Sequence, residues 1–264
     1  MLLATQDRGF FGQTYEQKLN KLKEIGFEGL EIDGKPLIER FDELRQAVRS
    51  TGVAISSVCG GYRGWIGDFD AEQRAFAVSD ISEILSYSGE LGARGIVVPA
   101  AFGIFSKKLP PFGSPRASDE EREILLDSLS KLNESALASG AELLLEPLNR
   151  YEDHMINRLE DAASLIREGG FKGVKVMADF FHMQIEEPDI SASLRAAGEL
   201  VTHVHLADSN RLQPGYGHTD FRAGFRTLKE IGFTGYMAVE CELAPGDGEQ
   251  AYVEMAKYLK SCMD

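Results

Sequence analysis

Short apolar runs alternate along the whole chain with longer stretches in which apolar residues return at every third or fourth position. Eight runs read as strands: Leu2 to Thr5, Gly29 to Asp33, Val53 to Val58, Gly95 to Pro99, Glu142 to Glu146, Val174 to Asp179, Val201 to Leu206 and Tyr236 to Glu240. Helical stripes lie between them, in Tyr15, Leu19, Leu22; in Leu37, Phe41, Leu44, Val48; in Leu125, Leu129, Leu132, Ala136; and in Phe221, Phe225, Leu228. Regular alternation of this kind predicts an α/β fold built on a parallel sheet.

A phrase recurs ahead of several strands, in Ile25-Gly26-Phe27-Glu28-Gly29, Leu91-Gly92-Ala93-Arg94-Gly95, Gly170-Phe171-Lys172-Gly173 and Ile231-Gly232-Phe233-Thr234-Gly235. Each ends a helix on glycine and turns tightly into the next strand. Gly52 and Gly140 sit where helices should stop, and Ser118 with Glu121 predicts a capping box ahead of the third stripe. Eight such units make a single (β/α)8 TIM barrel, one domain over residues 1–264. The connection from Phe102 to Ala117 breaks the rhythm with Pro110, Pro111 and Pro115. Leaving the C-terminal end of a strand, it reads either as a lid over the active face or as a plain surface loop.

Composition narrows the function classes. The 264 residues are 43% hydrophobic and 27% charged, which suits one large folded core. With 28 Lys plus Arg against 42 Asp plus Glu, the formal charge is −14, so a nucleic-acid backbone or an anionic membrane is repelled at long range. Cys59, Cys241 and Cys262 match neither a disulfide framework nor a CxxC metal site, and a reducing cytoplasm is the expected location. No signal peptide or membrane-spanning run is expected from the sequence.

The chemistry gathers in the last four strands. Glu146 ends the fifth, Asp179 the sixth and Glu240 the eighth, while His205 lies one residue from the end of the seventh. In a parallel barrel these ends meet at the face where barrel enzymes work. Three carboxylates and an imidazole converging without a countercharge would repel one another, so a divalent cation is expected among them. The oxygen-rich set suits Mn2+ first, then Mg2+ or Co2+, with Zn2+ acceptable.

The stretches Leu145-Glu146-Pro147-Leu148-Asn149-Arg150-Tyr151-Glu152, Asp179-Phe180-Phe181-His182 and His203-Val204-His205-Leu206-Ala207-Asp208-Ser209-Asn210-Arg211, followed by Val239-Glu240, resemble the xylose-isomerase-like barrel superfamily. Within it they look most like ketose 3-epimerases of the D-tagatose 3-epimerase kind. The resemblance implies that Glu146, Asp179, His205 and Glu240 bind the metal and that Glu146 and Glu240 are also the catalytic acid/base pair. It further implies that Glu152, His182 and Arg211 hold substrate oxygens. Inverting a carbon beside a carbonyl takes a proton from one face and returns one to the other, which two carboxylates can do. The expected substrate is a small sugar or sugar phosphate, and a homo-dimer or homo-tetramer is expected by analogy alone.

Aldose-ketose isomerase, hydroxypyruvate isomerase and inosose dehydratase activities fit the same metal site, and a catalytically silent sugar-binding barrel is the alternative from another class. Apurinic endonucleases of the superfamily use additional histidines from early strands, whereas this chain has none before His154. His203 shares a strand face with His205 and reads as core or support; His154 and His218 read as loop histidines. Cys59, Trp65, Phe10 and Phe102 fall near strand ends, where they form either an apolar wall for a sugar or ordinary packing. Lys107 and Lys108 could meet a phosphate, but solvated loop lysines are the simpler reading.

Overall fold

The computed structural model describes residues 1–105 and 113–263. Its strands are β1 (Leu2–Gln6), β2 (Gly29–Ile32), β3 (Ala54–Cys59), β4 (Gly95–Pro99), β5 (Glu142–Glu146), β6 (Val174–Asp179), β7 (Val201–Leu206) and β8 (Tyr236–Val239). Each pairs in parallel with the next, and β8 returns to β1 through Leu2 opposite Tyr236 and Thr5 opposite Val239, closing the ring. The α/β barrel expected from the alternating pattern is the fold observed.

Around the ring lie α1 (Tyr15–Ile25), α2 (Gly34–Glu39), α3 (Phe41–Thr51), α4 (Ala71–Leu91), α5 (Ser118–Ser139), α6 (Leu159–Gly169), α7 (Phe180–Glu186), α8 (Ile190–Ala197), α9 (Phe221–Glu230) and α10 (Glu249–Met263). Their apolar stripes meet the outer faces of the strands, and Leu19, Leu30, Ile96, Leu132, Leu143 and Phe225 lose all exposure there. Strands covered on both faces need near-continuous apolar sequence, which is why the runs were visible.

The glycine phrases have two jobs, seen together at Gly92 and Gly95. Gly92 ends α4 with φ 79°, a left-handed turn that costs a side-chain-bearing residue strain. At Gly95 an added Cβ would lie 1.8 Å from the Glu142 carbonyl oxygen, so the first residue of β4 must be bare for β5 to approach.

Several local expectations change. The stripe from Leu37 to Val48 is divided between α2 and α3, with Arg40 at the break. Asp33 and Glu240 stand just outside β2 and β8, and β3 is shifted by one residue. The capping box at Ser118 does not form: Ala117 is the N-cap of α5 without a side-chain bond. Glu121 instead turns inward to accept hydrogen bonds from His154 Nε2 (2.7 Å) and Ser114 Oγ (2.5 Å). Lys107, Lys108, Pro110 and Pro111, and with them the lid reading, lie outside the described residues.

Inside the ring the packing is unequal. Val97, Leu144 and Met177 form a small apolar cluster with Cys59, on strands β3 to β6. Across from it Glu31, Ser57, His203 and His205 are almost wholly buried and joined by hydrogen bonds that span β2, β3 and β7.

Candidate active site

Parallel register brings the four sequence-predicted ligands to one end of the ring. Asp179 pairs with His205 across β6 and β7, Glu146 is the last residue of β5, and the Glu240 N–H donates to the Leu206 carbonyl at 3.1 Å. One candidate ligand atom from each of Glu146, Asp179, His205 and Glu240 falls within 4.8 Å of the others. Asp179 is pinned from behind: its Oδ1 accepts the Phe181 N–H at 2.7 Å and so caps α7, leaving Oδ2 for the site. Three buried or half-buried carboxylates and one imidazole nitrogen, gathered so closely, fit the donor set of a hard divalent cation.

One expectation about charge needs correcting, because the acids do not converge without a countercharge. Arg211 Nη1 donates to Asp179 Oδ2 at 2.7 Å and its Nη2 to Glu240 Oε2 at 2.5 Å. The guanidinium also lies over the Phe181 ring, 4.7 Å from its centroid. Among the described residues Arg211 is the one non-glycine residue with positive φ, 64°, a conformation that side chains other than Asn and Asp adopt at a cost. The loop that imposes it is tied to Asp208, whose carboxylate accepts the N–H groups of Ser209, Gly215 and Thr219 at 2.8 to 3.0 Å.

His182 has a defined tautomer. The backbone N–H of Asn149 donates to His182 Nδ1 at 3.2 Å, with the Asn149 amide at 2.8 Å, so the neutral ring carries its proton on Nε2. That nitrogen faces Asp179, Glu152 and Glu146 at 3.5, 3.8 and 3.9 Å. Arg150 holds the loop after β5 in place by a bidentate pair with Glu186 of α7, at 2.9 Å for both bonds. Asn149 and Arg150 thus work as supports for the site; in the sequence they were visible only as part of a motif.

Buried charges shift one another. Burial pushes the Glu146 carboxyl well above the usual range; His205 opposes this, and the carboxylates of Glu240 and Asp179 reinforce it. Burial also works against ionised Asp179, but Arg211, His182 and His205 outweigh it and hold the group down to about 2. Glu240 is likewise penalised by burial and brought below its ordinary value by His205 and Arg211. Burial disfavours charged His205, yet Glu31 and Glu240 raise it well above the usual histidine value. Burial lowers His182.

A cavity opens over these groups, lined by Glu146, Glu240, Glu152, His182 and Arg211 on one side and by Cys59, Tyr62, Trp65 and Phe102 on the other. All three residues expected to hold substrate oxygens therefore face it. Of the residues read either as an apolar wall or as ordinary packing, Cys59, Trp65 and Phe102 line this cavity, with Tyr62 packed edge-on to Trp65 at 5.6 Å. Phe10 stands apart, packing on Phe11 and Tyr252. Of the remaining histidines, His218 is exposed in its loop, His154 is buried against Glu121 rather than solvated, and His203 is buried below His205. Glu31 was missed: a single acid between Leu30 and Ile32 carries no periodic signal, and only ring closure places it under His205.

The chain is similar to known proteins along nearly its whole length. Over 262 residues, 99% of this chain and 100% of the relative, the sequence is 43% identical to 3-dehydro-D-guloside 4-epimerase of Escherichia coli K12. It is 28% identical over 233 residues, 86% of this chain and 76% of the relative, to D-psicose 3-epimerase of Enterocloster bolteae. The apo crystal structure of 3-keto-D-glucoside 4-epimerase from E. coli has a TM-score of 0.95 at 43% identity, covering 99% of this chain and 100% of that one. D-psicose 3-epimerase of Clostridium cellulolyticum H10, solved with D-tagatose, shares the fold with a TM-score of 0.80 at 22% identity, covering 100% and 97%. The ketose 3-epimerases are thus further relatives than the 4-epimerase. With residues 19–262 matching its pattern, the chain belongs to the xylose isomerase-like TIM barrel family.

Proposed function

We propose that this protein is a divalent-metal-dependent sugar epimerase that inverts a carbon next to a ketone, and that its substrate is a 3-keto-hexoside inverted at C4. The observation that carries the reading is the juxtaposition of Glu146 and Glu240, within 4.8 Å of each other's candidate ligand atoms, at the floor of a cavity walled by apolar side chains. The choice of C4 is supported by 43% identity over essentially the whole length of a 4-epimerase, against 28% for a ketose 3-epimerase. The chemistry is the same in both cases. The acidic hydrogen lies on the carbon beside the carbonyl, at C3 beside a C2 ketone and at C4 beside a C3 ketone.

In this reading one of Glu146 and Glu240 removes that hydrogen and the other delivers a proton to the opposite face. A divalent cation held by Glu146, Asp179, His205 and Glu240 supplies Lewis-acid polarisation of the carbonyl and lowers the cost of negative charge on its oxygen. His182 presents Nε2–H and Arg211 its guanidinium to the substrate oxygens, adding positive character where charge develops. Glu152, with 33% of its side chain exposed, accepts a hydroxyl hydrogen at the mouth. Trp65 and Phe102 cover the sugar face and exclude water.

The test is incubation with Mn2+ in D2O of a 3-keto-glucoside beside a panel of free and phosphorylated ketoses, read by NMR. Deuterium at C4 together with the C4 epimer is the expected result. Deuterium at C3 of a ketose alone would move the assignment to 3-epimerisation. Aldose formation would move it to isomerisation, and loss of water to dehydration. Binding without exchange on any substrate would leave a silent sugar-binding barrel.

A further inference from the structure

The second buried cluster of the barrel interior lies directly beneath the candidate metal site, and the two share His205. Glu31 lies at its centre with a side chain that has no solvent exposure. Its carboxylate is met by His205 Nε2 at 3.0 Å, His203 Nε2 at 3.1 Å, Ser57 Oγ at 2.7 Å and Gln6 Nε2 at 3.2 Å. On the other side of its ring, His205 Nδ1 faces Glu240 Oε2 at 3.1 Å and Glu146 Oε1 at 3.9 Å.

From this arrangement we infer that Glu31 is a positioning residue for the metal site: it accepts the Nε2–H of His205 as a hydrogen bond and thereby turns Nδ1 toward Glu146, Asp179 and Glu240 as the nitrogen that would ligate a cation. The inference rests on the metal reading given above and deepens it. An ionised carboxylate only accepts, so each of the four groups around Glu31 must offer it a hydrogen, and for His205 that hydrogen is on Nε2. An imidazole that ligates a cation keeps one N–H, so with Nε2–H held by Glu31 the nitrogen that gives up its hydrogen and offers a lone pair is Nδ1, the one on the ligand side. His203 follows the same rule, with Nε2 shared between Glu31 and Ser57 Oγ at 3.2 Å. Gln6 locks the arrangement further, since its Nε2 also donates to Glu240 Oε1 at 2.8 Å and links the supporting acid to one of the ligands.

Glu31, His203 and His205 also have a spacing that could hold an ion of their own. We assign them to hydrogen bonding instead, because all three side chains are sealed inside the ring with no exposure and so lack an entry path, and Ser57 and Gln6 complete the shell of donors.

The test uses Zn2+, which is diamagnetic, on the full chain. In the unaltered protein, imidazole 15N NMR should show His205 Nε2 protonated and slowly exchanging both before and after Zn2+ is added, with Nδ1 the nitrogen whose shift changes on binding. Calorimetry should give one Zn2+ per chain, and E31Q, whose amide can offer a hydrogen to Nε2, should bind it about ten- to a hundredfold more weakly. Coordination through Nε2, a proton left on Nδ1 in the Zn2+ form, two ions per chain, or unchanged affinity in a folded E31Q would each overturn the assignment. If E31Q does not fold, the spectra of the unaltered protein decide alone. Failure of the unaltered protein to bind any Zn2+ or Mn2+ would instead sink the metal reading itself.

Discussion

Arg211 and Asp179 form an ion pair of 2.7 Å inside the group of candidate ligands, and Arg211 reaches Glu240 from the same guanidinium. Removing it leaves a cluster of buried acids short of positive charge. Arg211→Gly is the informative change, because glycine accepts a φ of 64° and the loss then reports the guanidinium and not the backbone. In metal-free protein the variant should melt earlier. The loss should fall below the about 3–5 kcal/mol of a fully buried pair, since 29% of the Arg211 side chain is exposed. Added Mn2+ should then raise its melting temperature by more than it raises that of the unaltered protein. Equal melting and equal response to metal would show that the charges do not interact in this way.

Glu146→Gln and Glu240→Gln should each leave a folded barrel, because the amide keeps the volume of the side chain. Each should lower deuterium incorporation by about 10²–10⁴-fold, the usual worth of a placed acid or base. Measuring Zn2+ affinity beside turnover separates the two roles assigned to each glutamate. Near-normal exchange in either variant removes that residue from proton transfer.

Asp208 is neither a candidate ligand nor part of the cavity lining, yet its carboxylate holds the loop that carries Arg211 through three backbone N–H groups. Burial opposes its charge, but those N–H groups bring its carboxyl below the usual value. Asp208→Ala should release the loop, raise KM and lower kcat together, and cost about 1–3 kcal/mol from the unpaired donors. Activity equal to that of the unaltered enzyme would mean that the loop keeps its shape by other contacts.

Asp153 gives a pH dependence with a definite sign. It has no exposure, and burial raises its carboxyl to about 6, although the N–H groups of Ile156, His154 and Met155 and the charge of His154 partly oppose this. The folded chain therefore holds this proton more tightly than the unfolded one. Its contribution to stability is full below the unfolded value near 4 and is lost as pH rises through about 6. Asp153→Asn keeps an oxygen for the Ile156 N–H, now 3.1 Å from Oδ2, and removes the penalty. Denaturant melts should show the variant gaining up to about 3 kcal/mol relative to the unaltered chain at pH 8 and little at pH 4. A difference that does not change with pH would rule this out.

The strands were legible where the sequence marked both ends. From β4 to β7 the expected and observed bounds coincide: β4 is an apolar run opened by Gly95, β5 is three leucines between Glu142 and Glu146, β6 stops on Asp179, and β7 follows directly on the glycine-bearing turn at Gly198. The four candidate ligands could be read as a group because their places in successive units are equivalent. Ser118 and Glu121 matched a local capping pattern, but Glu121 has a tertiary partner in His154 and the local bond loses to it. Glu31 and Asn149 could not be read as supports from spacing at all. Their partners, His205 and His182, lie on distant strands or helices, and which nitrogen they meet depends on the closed ring.

Ring closure also has a temporal consequence. Thr5 Oγ1 lies 3.4 Å from the Val239 carbonyl and Gln6 is bonded to Glu240, each pair separated by 234 positions in the chain. Glu31, contributed early in synthesis, finds its histidine partners only when β7 arrives, and the first and last strands must meet before the interior is dry. Contacts between such distant positions form slowly. Completion of the chemical centre thus waits on the last strands of the ring, and a chain interrupted before β7 leaves Glu31 without its histidines.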